Sequence, residues 1–161
     1  MKVYGYCRIS TSKQSMERQI RNIKLAYPDA VIVKETYTGT KIQGRKEFEK
    51  LLKIVSTGDT LVFDSVSRMS RTAQEGYEMY QKLYNQGVSL VFLKEPHINT
   101  STYQQAMENQ LSVNVKTGDQ ASEELLSGIF GALNRYMLNL AKRQIQLAFE
   151  QAEKEVTDLH Q

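Results

Sequence analysis

An apolar strand near the start of the chain ends in Arg8-Ile9-Ser10, and this is where the sequence could do chemistry. Residues two apart in a strand project to one side, so the Arg8 guanidinium and the Ser10 hydroxyl share a face as the strand ends. Such a pair suits attack on a phosphate. Arginine neutralises phosphoryl oxygens through paired N–H donors while serine supplies the attacking oxygen. The same serine could equally cap a following helix, a role its residue type favours for structural reasons alone. Arg68 and Arg71 fall just before and at the start of a later helical pattern, where a helix N-terminus disfavours cations unless an oxyanion is bound. Solvation, or pairing with Asp64 or Glu75, is the alternative. Lys41, Arg45 and Lys46 add positive charge in a loop between these two regions.

The elements that must position these residues can be read from hydrophobic spacing. Apolar runs around Tyr4–Ile9, Val31–Val33, Leu61–Phe63 and Val88–Leu93 read as strands. Met16, Ile20, Ile23 and Tyr27 recur at helical spacing, stopped by Pro28-Asp29. Phe48, Leu51, Leu52 and Val55 mark a second helix that ends near Gly58. Thr72 and Glu75 predict a capping box for a third helix, which buries Tyr77, Tyr80, Leu83 and Tyr84 and stops at Gly87. The fold class is therefore α/β: a three-layer α/β/α arrangement on a mostly parallel sheet of four to five strands, joined by right-handed crossovers. Ligands in such sheets bind outside the carboxyl ends of the strands, so the loop carrying Arg8 and Ser10 and the loop from Asp64 to Arg71 should face each other, with the Arg45 loop adding cations on the same edge.

Beyond Lys94 the pattern changes. Pro96 interrupts it, a short helix is predicted over Tyr103–Glu108, and Ser112–Val115 reads as a short strand or a loop. From about Ala121 the chain is helical, with Leu126, Phe130, Leu133, Met137, Leu140 and Leu147 forming a coiled-coil seam. Nearly forty helical residues would span ~60 Å, more than a domain of this size can cover. The distal part of that helix is expected to meet another chain, a nucleic acid or solvent. The pattern reaches Gln161 without a Gly or Pro stop, which suggests a longer protein. Residues 1–120 are thus expected to form a catalytic domain and 121–161 a long oligomerisation helix.

Composition sets the limits of this reading. With 161 residues, 40% hydrophobic and 24% charged, the chain can bury one core. Its 21 Lys and Arg against 18 Asp and Glu leave only +3, so any argument for nucleic acid rests on where the cations cluster. Cys7 is the single cysteine, which excludes an intramolecular disulfide and any multi-cysteine zinc site. No leader and no apolar run near ~18 residues is present, which points to a cytoplasmic protein with no membrane segment. A Gly-x-Ser-x-Gly elbow is absent, the only histidines are His97 and His160, and Lys13 stands where a cysteine phosphatase loop would need arginine. Neither a Gly-rich nucleotide loop nor metal-ligand spacing is found, so no cofactor and no metal are expected.

Taken together, Tyr4-Gly5-Tyr6-Cys7-Arg8-Ile9-Ser10-Thr11 with Gln14 and Gln19, Gly39 with Gly44-Arg45, and Ser67-Arg68-Met69-Ser70-Arg71 resemble the N-terminal catalytic domain of serine recombinases, the resolvase and invertase group. The resemblance runs from Met1 to about Leu93. It implies that Ser10 attacks a DNA phosphodiester to give a 5′-phosphoserine, while Arg8, Arg45, Arg68 and Arg71 hold the scissile phosphate. Supporting positions are Gln19, Lys53, Asp64, Ser67 and Arg143, with Lys13, Lys41, Lys46 and Lys142 on the DNA backbone. It further implies double-stranded DNA as substrate, a homodimer through the long helix, a tetramer in the synaptic complex, and a separate C-terminal DNA-binding module. Rejoining would need neither ATP nor metal nor a small-molecule substrate. Three positions depart from the family pattern. Ser67 replaces the usual Asp, with Asp64 the nearest acid upstream; Lys53-Ile54 stand where a basic residue is expected in the second helix; and residues 94–121 exceed the equivalent in small resolvases. The rival readings are a non-catalytic DNA-holding module of the same fold and a small phosphotransferase.

Overall fold

A computed structural model describes residues 1–10, 16–39, 42–109 and 116–159, with side chains in the last helix described as far as Glu155. The strands β1 (Val3–Ile9), β2 (Val31–Thr36), β3 (Thr60–Phe63) and β4 (Ser89–Phe92) form one sheet in the order β2-β1-β3-β4. All three pairings are parallel. Between the strands run α1 (Glu17–Ala26), α2 (Lys46–Ile54), α3 (Val66–Met69) and α4 (Ala73–Asn85), and after them α5 (Thr100–Glu108) and α6 (Gln120–Leu159). The chain leaves β1 toward β2 on one side and returns to β3 on the other. The crevice between the carboxyl ends of β1 and β3 is therefore the topological switch point, the place such sheets use for ligands.

Alternation along β1 divides the interior in two. Cys7 joins Ile23, Ala30 and Val62 beneath α1, while Tyr4 and Tyr6 face the larger core under the remaining helices. That core is aromatic: the Tyr6 and Phe48 rings meet edge-on at 4.8 Å and Phe63 stacks on Phe92 at 5.4 Å, a geometry that adds to what burial alone contributes. The three-layer α/β/α arrangement is as expected, with four parallel strands among the described residues. The stretch Ser112–Val115 lies outside them.

Three expectations are corrected. Residues Val66–Met69 form a separate one-turn helix, so Arg68 sits in the last turn of α3 and not before α4, while Arg71 does stand just ahead of α4. The capping box of α4 does not form, because the Glu75 carboxylate takes the Thr72 hydroxyl and reaches across to the Ile42 backbone N–H. The third correction concerns the direction of the long helix. Its distal part is the packed part: Ile145, Phe149 and Ala152 are buried in the core, and the Ala73 N–H at the start of α4 donates to Glu153. Residues 120–140 carry no buried side chain. Leu125 and Tyr136 are each 66% exposed, and Leu133 and Leu140 of the predicted seam are also exposed. The sequence spacing placed a long helix here but not which end of it the domain would cover.

Candidate active site

The site grows from the end of β1. Arg8 is 1% exposed, and its backbone is held by the Gln19 side chain of α1, which accepts from the Arg8 N–H at 3.1 Å and donates to its carbonyl at 2.9 Å. A buried amide pairing both groups of one peptide does the work of a neighbouring strand. The Arg8 guanidinium donates to the carbonyls of Ser67 at 2.7 Å and Arg68 at 3.3 Å, while Arg68 donates back to the Arg8 carbonyl at 3.0 Å. Arg45, fully buried at the N-cap of α2, donates to the Met69 carbonyl. The last carbonyls of α3 are thus the cradle in which two of the arginines lie.

Arg71 completes the group. Its Nη2 donates to Ser10 Oγ at 2.5 Å and its Nη1 to the Thr38 carbonyl at 3.4 Å, so the loops after β1, β2 and β3 meet on one guanidinium. Among the described residues no carboxylate pairs with any of these four arginines. Arg8 Nη1, Arg45 Nε and Nη2, Arg68 Nε and Arg71 Nε are buried without a hydrogen-bond partner among the described residues. Burial pulls the Arg8 guanidinium down to about 9, and the neighbouring charges of Arg45 and Arg71 pull the same way. Arg71 is lowered first by burial and then by Arg45 and Arg68. Arg68 is lowered by burial against the opposing pull of Asp64. Buried cations and N–H groups left unpaired are costly, and an oxyanion supplies both the charge and the acceptors they lack.

Arg45 has its own supports, which the sequence reading missed. Burial lowers its pKa, while Tyr6 and Glu35 act in the other direction. Glu35, 5% exposed, accepts from the Tyr6 hydroxyl at 3.2 Å and from the Phe48 N–H in the first turn of α2 at 2.9 Å. Tyr37 lies with its ring centroid 5.8 Å from the Arg45 guanidinium. A Cβ on Gly39 would meet the Tyr37 hydroxyl at 2.3 Å, and Gly44 adopts φ +99° beside the same ring, which accounts for glycine at both positions.

Other expected residues fall elsewhere. Asp64 is buried, accepts from Asn22 at 2.9 Å and pairs with Lys94 at 3.4 Å. The Ser67 hydroxyl lies 2.9 Å from that of Ser65, and its backbone carbonyl is what serves the site. Lys46 is exposed beside Arg45, whereas Lys53 is exposed in the last turn of α2, ~10 Å further along the helix axis. Because α6 runs antiparallel to α4, Lys142 sits at the far end of α4 beside Tyr84 and Asn85. Arg143 is exposed and paired with Glu150 at 3.1 Å. Neither joins the arginine group. Lys13 and Lys41 lie outside the described residues. Among the described residues no group of His, Cys, Asp and Glu could hold a metal, and no helix is long and apolar enough to cross a membrane.

Comparison with known proteins identifies the family. Residues 3–156 match the family described as Resolvase, N terminal domain. The chain is 32% identical over 107 residues to the Transposon Tn21 resolvase of Escherichia coli, covering 65% of this chain and 53% of that protein. It is 34% identical over 93 residues to the Transposon Tn501 resolvase of Pseudomonas aeruginosa, covering 56% of this chain and 46% of that one. A resolvase of Clostridium perfringens is 30% identical over 98 residues, 60% of this chain and 51% of its own. The chain therefore aligns with about half the length of these relatives. A crystal structure of a resolvase family site-specific recombinase from Streptococcus pneumoniae shares the fold, with TM-score 0.50, 23% identity, and coverage of 94% of this chain and 98% of that one.

Proposed function

The chain belongs to the family of resolvase N-terminal domains, and from that premise we propose that it is the catalytic part of a site-specific DNA recombinase with Ser10 as the nucleophile. The observation that carries the reading is the Arg71 bond to Ser10 Oγ, set among buried guanidinium N–H groups that have no acceptor among the described residues. A guanidinium on the serine oxygen favours its alkoxide form, because hydrogen bonds to the charged state lower a pKa. Arg8, Arg45 and Arg68 supply donors for the non-bridging oxygens of a phosphodiester, whose charge grows as the fifth oxygen approaches.

In the reaction, a bond forms between Ser10 Oγ and phosphorus while the bond from phosphorus to the 3′-oxygen breaks. The serine proton ends on the 3′-hydroxyl that leaves, and the 5′-phosphate stays on Ser10. Rejoining is the same displacement in reverse by a 3′-hydroxyl of the exchanged strand. One ester replaces another in each direction, so no external energy source is consumed. In this reading the exposed half of α6 pairs with a second copy, and double-stranded DNA is the substrate. The test is a denaturing gel of the protein incubated with DNA containing its recombination site. A covalent adduct in the wild type and none in Ser10→Ala supports the reading, and an adduct that survives in Ser10→Ala overturns it.

A further inference from the structure

The arginine cradle depends on a helix that is too short to hold itself. α3 has four residues, and a single helical turn is unstable alone because nucleation fixes several dihedrals for one hydrogen bond. Yet its carbonyls at Ser67, Arg68 and Met69 are the acceptors that set Arg8 and Arg45. At the other end of the same helix, the Val66 N–H donates to Glu95 Oε2 at 3.0 Å. Glu95 follows β4, where it stands at the start of the turn Pro96–Ile98, so this bond ties α3 to the neighbouring strand. It also lines a cavity of about 600 Å³ walled by Ser67, Arg68, His97 and the α6 residues Gln151 and Glu155.

We propose that Glu95 is a positioning residue for the phosphate site: by fixing the start of α3 it fixes the carbonyls that aim Arg8 and Arg45. Buried Val66 and Met69 side chains hold α3 against the core, but apolar contacts resist sliding less sharply than a directed hydrogen bond does. Displacement of reacting groups by ~1 Å can cost about a hundredfold in rate, so a small shift of α3 has a disproportionate effect. The charges facing Glu95 are Lys94 and His97 on its own connection, Arg68 on α3 and Glu155 on α6. Burial holds its carboxyl above the ordinary glutamate value, Glu155 adds to this, and the Val66 N–H, Lys94 and His97 oppose it.

The inference rests on the arginine group being an oxyanion site, and its test is read without the recombination reaction. The probe is sulfate, which does not titrate in the working range, added to the full chain while the arginine Nε–Hε resonances are followed by NMR. In the wild type the Arg8 signal is expected to be resolved and to shift with sulfate. In Glu95→Ala it is expected to broaden, with sulfate affinity about tenfold lower, and Glu95→Gln, which keeps a neutral acceptor for the Val66 N–H, should recover most of that loss. A variant that is merely less stable would lower the melting temperature and leave the Arg8 signal and sulfate affinity unchanged. That result overturns the inference. If these arms succeed while no DNA adduct forms on Ser10, the recombinase reading fails and the positioning role stands.

Discussion

Ser10 and Cys7 stand three positions apart on one strand and its exit, yet their surroundings make them opposites. Ser10 is partly exposed and receives a guanidinium N–H; Cys7 is fully buried beneath α1, where burial pushes its thiol up to about 11. At pH 8 the folded protein is therefore expected to resist iodoacetamide at Cys7, with labelling appearing only on unfolding and read by mass spectrometry. Ser10→Ala removes one hydroxyl at a partly exposed position, so it should change stability by less than about 1 kcal/mol while abolishing the adduct. Calorimetry and the gel assay together separate the two effects. The clustering of the arginines was legible in the sequence because they stand at or after the ends of strands that must finish on one edge. Glu35 and Glu95 were not, because their hydrogen bonds to Tyr6 and Val66 each join residues 29 positions apart.

Among the elements, α4 and α6 meet through a glycine. A Cβ on Gly76 would lie 2.3 Å from the Phe149 ring, and that ring is buried edge-on to Tyr80 and Phe92. Glycine inside a helix ordinarily costs about 1 kcal/mol relative to alanine, so Gly76→Ala would stabilise an isolated α4. Here overpacking decides the sign, and the substitution is expected to destabilise by about 1–3 kcal/mol in urea unfolding. Phe149→Ala, which empties the same contact, should cost about 3–5 kcal/mol. The period of α4 and α6 was plain from sequence, whereas the one-turn α3 was not. Four residues are too few for periodicity to register, and α3 owes its existence to Val66 and Met69 in the core and to the bonds at its two ends.

For the whole molecule, the balance of α6 is the main consequence. Its last part is anchored by Ile145, Phe149 and Ala152, and residues 120–140 present Leu125, Ile129, Leu133, Met137 and Leu140 to solvent. An apolar stripe of this length needs a partner, and in the proposed reading that partner is a second copy. Leu133→Glu combined with Leu140→Glu is expected to shift sedimentation toward monomer and leave the melting of the catalytic core within about 1 kcal/mol, since neither side chain enters it. Unchanged self-association in that variant would rule out this stripe as the interface.

The sequence by itself determined the α/β class, the parallel strands and the position of the long helix, and it singled out Ser10 and the arginines that the fold brings together. These follow from local periodicity and from residue types whose chemistry does not depend on neighbours. Only the tertiary structure decided which end of α6 is covered, where Asp64 points, that Lys142 and Arg143 stand apart from the site, and that a one-turn helix aims Arg8 and Arg45. Those outcomes depend on contacts between residues far apart in the chain, 24 positions for Arg45 with Met69 and 80 for Ala73 with Glu153. Spacing along the chain carries no record of such meetings, because they are set by how whole elements fill one core.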